Sequence, residues 1–215
     1  MPRKPRVTQA EYVYHVLNRA TKQTILFNTA SDYCAFEQLL GEARSHIAMR
    51  ILAYCLMPNH WHLLLWPFAD GDLSRFVKWL STTHAVRWNR AHDAVGRGAV
   101  YQSRFKSIPI QTGPHLFWVW RYIERNPLRA SLVRQARDWR WNSLSQRISS
   151  SEANFLDNGS IRLPSDWETI VNVPQTPDEI KAFRQSVTVG KPYGCEGWLA
   201  PQARKRGRPA LLRKL

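Results

Sequence analysis

The 215-residue sequence predicts an α+β domain. Its expected core is an antiparallel sheet built in the order β-α-β-β-α-β, with a further helix after the last strand. Three observations carry this. Apolar runs of strand length occur at 12–17, 51–57, 60–66 and 105–111. Amphipathic helical stripes lie between the first and second runs and between the third and fourth. Only Pro58 and Asn59 separate the second run from the third, which makes that pair a hairpin. This order is the ferredoxin-like split unit.

The first strand, YVYHVL, is rich in β-branched and aromatic residues. Asn28, Ser31 and Asp32 offer N-cap chemistry for the first helix. In it Phe36, Leu39, Leu40, Ala43 and Ile47 recur at helical spacing. The runs ILAYCLM and HWHLLLW follow as the hairpin. Asp72 opens the second helix, whose apolar face is Leu73, Phe76, Val77 and Leu80 and which extends to about His92. Residues 93–104 hold two glycines and read as a loop or a small hairpin. The fourth strand, FKSIPIQ, contains Pro109, which cannot donate to a ladder and belongs at a sheet edge. Gly113 and Pro114 start the third helix. It is expected to stop near Asn126, because Pro127 disfavours helix in the residue before it. The two crossing helices then cover one sheet face and leave the other open. Residues 149–177 are rich in Ser, Asn and Pro and read as a linker, with a short helix expected at 177–187. The expected organisation is one domain over 1–148, a linker and partly ordered region over 149–200, and a disordered basic tail over 201–215.

Hydrophobic residues make up 44% of the chain, enough for a core, which argues against wholesale disorder. Thirty-one Lys and Arg against sixteen Asp and Glu give a formal charge of +15, the signature of a polyanion-binding surface. Both ends are free of acid: Arg3, Lys4 and Arg6 at one, and Arg204, Lys205, Arg206, Arg208, Arg213 and Lys214 at the other. Cys34, Cys55 and Cys195 form no C-x-x-C pair, which argues against a disulfide scaffold or a thiolate zinc site. The basic N-terminus has no apolar run after it, and no stretch reaches 18 apolar residues. A reduced, cytoplasmic location without membrane attachment is the default expectation. The ten tryptophans suit either a tryptophan-rich core or stacking on unpaired bases.

Four groups of residues bear chemistry. His60 and His62 alternate on a strand, so both imidazoles leave the same face, about 7 Å apart. Such a pair can hold one divalent cation or be two ordinary half-exposed histidines. In the third helix Leu116, Val119, Trp120 and Ile123 form the apolar stripe, and Tyr122 and Asn126 share another flank near His115 and Trp118. That pairing suits a nucleophile beside a ligand, or equally a boundary tyrosine and a helix-capping amide. Arg104, Lys106 and Arg129 are placed to hold phosphates or to form a solvated charged face. In the tail, Lys205, Arg206 and Arg208 (KRGRP) suit the narrow minor groove of A·T-rich DNA, or a non-specific basic tail. His15, His46, His84 and His92 receive no role from the sequence.

The same residues carry a family resemblance. LMPNHWHLLL at 56–65 resembles the HUH motif of single-strand DNA endonucleases. RYIERNPLRASLV at 121–133 resembles the tyrosine-helix signature of single-tyrosine transposases. With Asp32-Tyr33, Ala53-Tyr54-Cys55 and the QSRFKS run at 102–107, the chain is similar to REP-associated tyrosine transposases over about residues 2–146. The match is patchier in GKPYGCEGW and KRGRP. Ala20, Trp61 and Ser131 depart from the family pattern, and none of them removes a chemical group from the candidate site.

The resemblance implies metal-dependent cleavage and rejoining of single-stranded DNA at or beside REP-type hairpins. Tyr122 would be the nucleophile and would form a 5′-phosphotyrosine. His60, His62 and Asn126 would hold Mg²⁺ or Mn²⁺, with Glu124 as the second choice for the third ligand. The expected partners are single-stranded DNA and DNA hairpins. No nucleotide cofactor is needed, because the covalent intermediate keeps the phosphodiester energy. The acting unit would be a monomer or a homodimer. The alternative is a catalytically silent regulator that binds DNA or RNA hairpins on the same fold.

Overall fold

The structure is a computed structural model that describes residues 8–21, 24–149 and 155–199. Strands β1 (Val13–Arg19), β2 (Met49–Met57), β3 (His60–Pro67) and β4 (Lys106–Ile110) form an antiparallel sheet in the order β2-β3-β1-β4. Helices α1 (Ala30–His46) and α2 (Asp72–Ala91) make the two crossings and pack on one face. The ferredoxin-like arrangement expected from the sequence is therefore present. Thr29 caps α1 in a capping box with Asp32, so the acidic residue sits three positions inside the helix rather than at its cap. Phe36, Leu39, Leu40 and Ala43 are buried as their spacing predicts, while Ile47 falls just past the helix and closes it with an N–H bond to Ala43.

Strand parity divides the molecule. On β3, Trp61, Leu63 and Leu65 pack with Phe36, Leu40, Phe76 and Leu80 under the helices. The Trp61 indole N–H donates to the Tyr101 hydroxyl at 2.9 Å, which in turn donates to Nδ1 of His84 at 2.7 Å. On β2 the register shifts between Ile51 and Ala53. As a result Leu52 and Ala53 both turn to the second face, while Ile51 and Tyr54 stay under the helices.

The second face is not open, which corrects the sequence expectation. It is covered by α3 (Pro114–Glu124), the single turn α4 (Asn126–Arg129), α5 (Ser143–Ile148), α6 (Trp167–Asn172) and α7 (Pro177–Val189). The reason lies in the strands: Val13, Leu52, Cys55, Leu64, Ile108 and Ile110 point that way and are buried against Val119, Ile123, Val171 and Phe183. Leaving such a face in water would cost about 25 cal/mol per Å² of apolar surface. Helix α3 ends at Glu124, close to the stop expected from Pro127, but the path resumes at once in α4. Pro127 occupies the first turn of α4, where a missing N–H breaks no intrahelical bond. Helix α6 lies within the stretch that composition marks as irregular, and buried Trp167 and Val171 supply the contacts that form it. The edge of β4 is also occupied, since Tyr193 N–H donates to the Pro109 carbonyl at 3.0 Å and Gln111 N–H donates to the Tyr193 carbonyl at 2.9 Å. Among the described residues no helix is long and apolar enough to cross a membrane.

Burial lowers the pKa of His84 to about 3, against a smaller upward pull from Asp32. The folded state therefore holds a neutral imidazole that the unfolded chain protonates near pH 6.5. Its contribution to stability is present above pH 6.5 and is lost as pH falls toward 3. By pH 4.5 the loss amounts to roughly 2–3 kcal/mol. Urea unfolding between pH 7.5 and 4.5 should show a decline that includes this share along with those of the other buried imidazoles, and His84→Asn, which keeps an acceptor for Tyr101, should reduce the decline by about that amount.

Candidate active site

Strand β3 delivers His60 and His62 to the second face with ring centroids 5.0 Å apart and planes at 85°. Helix α3 crosses that face and sets Tyr122 edge-on to His62 at 6.1 Å. Tyr122 is 6% exposed and His62 5% exposed. Trp118 stacks on Tyr122 from one turn earlier, at 5.6 Å and 18°. Phe183 of α7 closes over the group, 4.7 Å from the Tyr122 ring. The two motifs, sixty residues apart in sequence, thus meet in one place, and Asn126 and Arg129 join them from α4.

Arg129 holds Asn126 and Tyr122 together. Its guanidinium donates to Oδ1 of Asn126 and lies over the Tyr122 ring, 4.1 Å from the centroid. Nδ2 of Asn126 is buried without a partner. Burial lowers the pKa of Arg129, with Tyr122 pulling the other way.

The imidazoles are neutral. Burial, then Arg19 and Arg129, lower His60 to about 4. Burial, then His60 and His15, push His62 well below its ordinary value. Nδ1 of His60 donates to Oδ1 of Asn59 at 2.7 Å, which leaves Nε2 with the lone pair. Nδ1 of His62 shares a hydrogen bond with Nε2 of His15 at 2.9 Å. Two neutral imidazoles on one face fit a divalent cation. Asn126 would join them only by exchanging its contact with Arg129. Among the described residues no three His, Cys, Asp or Glu gather as a metal site. A site built on His60 and His62 would need a third donor of another kind, and the Asn126 amide is the candidate.

These groups line a cleft of about 660 Å³ whose cations are Arg19, Arg104, Lys106, Arg129 and Arg184, with no acid among its lining residues. Arg104 and Lys106 stand exposed at its mouth, while Arg129 is half-buried within it. Lys205, Arg206 and Arg208 lie outside the described residues. None of the ten tryptophans lines the cleft. Trp61, Trp120 and Trp167 are buried, and those of Trp66, Trp88 and Trp139 donate to backbone carbonyls, so the core reading of the tryptophan excess is the one the structure supports.

Sequence reasoning missed His15, Arg19 and Arg184. For the first two the signal was available, because His15, Leu17 and Arg19 share strand parity on β1 and all line the cleft. Arg184 had none, since only tertiary packing brings α7 here. Glu124, the second choice as ligand, is excluded from the group. It sits two residues past Tyr122, about 200° around the helix. Its carboxylate is fully buried and accepts from Ser143 Oγ at 2.5 Å, Arg147 at 2.6 Å, Trp167 Nε1 at 2.7 Å and Trp120 Nε1 at 3.2 Å. Glu124→Ala should lower unfolding stability by about 3–5 kcal/mol, because it strands the Arg147 charge. Denaturant unfolding checks this, and an unchanged midpoint with lost metal binding would return Glu124 to the ligand set.

Comparison with known proteins agrees with the architecture. The fold is similar to that of a REP-associated tyrosine transposase solved with a REP hairpin, at a TM-score of 0.57 and 15% identity over 77% of this chain and 99% of that one. A candidate transposase of Deinococcus radiodurans R1 aligns with a TM-score of 0.41 and 18% identity, covering 58% of this chain and 95% of that one. No curated protein sequence matches. The family model for IS200-like transposases matches residues 8–126, a span that takes in both histidines, Tyr122 and Asn126 and exceeds half the chain. The chain belongs to the IS200-like transposase family.

Proposed function

We propose that this transposase cleaves and rejoins single-stranded DNA beside REP-type hairpins through a covalent bond to Tyr122. One observation carries the reading: a phenol stands beside two neutral imidazoles at the inner end of a cleft lined only by cationic and uncharged residues. The likeness to a hairpin-bound transposase supports the choice of substrate.

In the proposed step the Tyr122 oxygen attacks the backbone phosphorus. A P–O bond to Tyr122 forms and the bond to the 3′ oxygen breaks. The phenol proton passes to water in the cleft, and the leaving 3′ oxygen takes a proton from that water to become a 3′-OH. His60, His62 and Asn126 would hold Mg²⁺ or Mn²⁺, which when bound polarises a non-bridging phosphate oxygen. Arg129 lies over the Tyr122 ring, gives up its contact with Asn126 Oδ1 when that oxygen turns to the metal, and turns its charge to the incoming phosphate. Arg104 and Lys106 grip the flanking backbone at the mouth. Lys205, Arg206 and Arg208 are proposed as further phosphate contacts in the tail. The phosphotyrosine retains the energy of the broken bond, so a second 3′-OH can reverse the step without a nucleotide cofactor.

Tyr122→Phe removes one oxygen and little packing. On a hairpin with a single-stranded flank it should bind as the wild type does and form no covalent band in a denaturing gel. His60→Ala, or excess EDTA with the wild type, should also abolish the band. Full adduct formation by Tyr122→Phe would sink the assignment. Hairpin binding with no adduct from the wild type in either metal would instead favour the silent regulator.

Replacing Arg104 and Lys106 together by Ala should flatten the slope of log affinity against log salt by roughly 1.4 units, at about 0.7 per phosphate released on single strands. An unchanged slope would place the DNA backbone elsewhere.

A further inference from the structure

Strand β1 carries His15 into the same buried space as His62, and the cleavage step above does not use it. His15 is 1% exposed. Its ring lies edge to edge with that of His62 and nearly in the same plane, with centroids 5.1 Å apart and planes within 13°. Phe183 packs on it at 5.2 Å and Tyr122 stands edge-on at 6.3 Å. Its Nε2 faces Nδ1 of His62 at 2.9 Å, and its own Nδ1 is buried without a partner.

A single proton sits between two neutral imidazoles joined in this way, and its location decides what His62 can do. With the proton on His15, His62 carries its own on Nε2 and presents no lone pair there. With the proton on Nδ1 of His62, the lone pair is on Nε2. The nitrogen that binds a metal is set by the hydrogen bond the other nitrogen makes. His60 has its counterpart in Asn59, whose amide oxygen accepts from Nδ1.

We propose that His15 is a positioning residue: its Nε2 accepts the Nδ1 proton of His62 and so turns His62 Nε2, beside His60, toward a divalent cation. This rests on the reading that His60 and His62 hold that cation. His15 is not itself a ligand in this arrangement, because the nitrogen it directs at the site is the one bonded to His62. The in-plane hydrogen bond between the two rings fixes the orientation of His62 as well as its tautomer, so one neighbour supplies both.

The test uses the full chain and Mn²⁺ alone, with free Mn²⁺ counted by electron paramagnetic resonance. His15→Phe keeps an aromatic ring against His62 but removes the acceptor. Mn²⁺ affinity should fall by about 10-fold or more, the range found when such supporting partners are removed. His15→Gln places an amide oxygen near the position of Nε2 and should recover most of the loss. Metal-free thermal unfolding of the variants separates this from a damaged core, and His15→Met substitutes for the Phe variant should that one fail to fold. Wild-type affinity in His15→Phe would overturn the proposal. Equal losses in Phe and Gln would overturn it too, by leaving only a packing role. Failure of the metal reading looks different: the wild type itself would bind no Mn²⁺, or His60→Ala would bind as well as the wild type, and either result would remove the basis for a positioning role.

Discussion

A buried carboxylate fixes the helix that carries the candidate nucleophile. Glu124 ends α3 and takes donors from Ser143 and Arg147 of α5, from Trp167 of α6 and from Trp120 one turn back. Removing such a charge from water is expensive, and only a full set of charge-assisted bonds offsets it. Arg147 extends the connection to the sheet. Its guanidinium donates to the Leu52 carbonyl, where the β2 register shifts, and to Oδ1 of Asn158 at 3.2 Å. Asn142 adds a second tie, capping α5 through Ser145 N–H at 2.8 Å and donating to the Ala136 carbonyl at 2.9 Å. Helix α3 is thereby held over β2 and β3, and the distance from Tyr122 to His62 follows from that placement.

The same packing sets the electrostatics. The face that receives α3 and α7 is apolar enough to keep three imidazoles neutral, and neutral imidazoles are the form that binds a metal ion. Phe183 contributes by touching His15, Trp118 and Tyr122. The cations sit around this dry centre, with Arg129 half-buried beside Tyr122 and Arg104 and Lys106 at the rim. The cleft therefore presents positive charge at its mouth, and no acid is among its lining residues. The opposite face of the sheet does structural work. Trp61, between the two histidines in sequence, is buried under α1 and α2 with its indole N–H satisfied by Tyr101, which explains how so large a residue is accommodated there.

Much of this was legible because it depends on local periodicity. The alternation of β3 puts His60 and His62 on one side and Trp61, Leu63 and Leu65 on the other, and the structure has that division. The stripe of Leu116, Val119, Trp120 and Ile123 orients α3, and all four are buried. Pro109 marks β4 as the edge strand, and it is one. The same alternation, applied to β1, also puts His15 and Arg19 on the site face.

Strand and helix order, and the side on which each strand residue emerges, were legible from the chain alone, because they follow from repeats of two and of 3.6 residues; the pairing of a histidine strand with a tyrosine helix came from the family resemblance of the two motifs. Only the tertiary structure decided that the second face is covered, that Glu124 is a buried anchor rather than a ligand, and that Arg184 and Phe183 of α7 reach the site. Each of these is a contact between segments far apart in sequence, chosen by which apolar surfaces and buried charges can satisfy one another, and no local spacing encodes that choice.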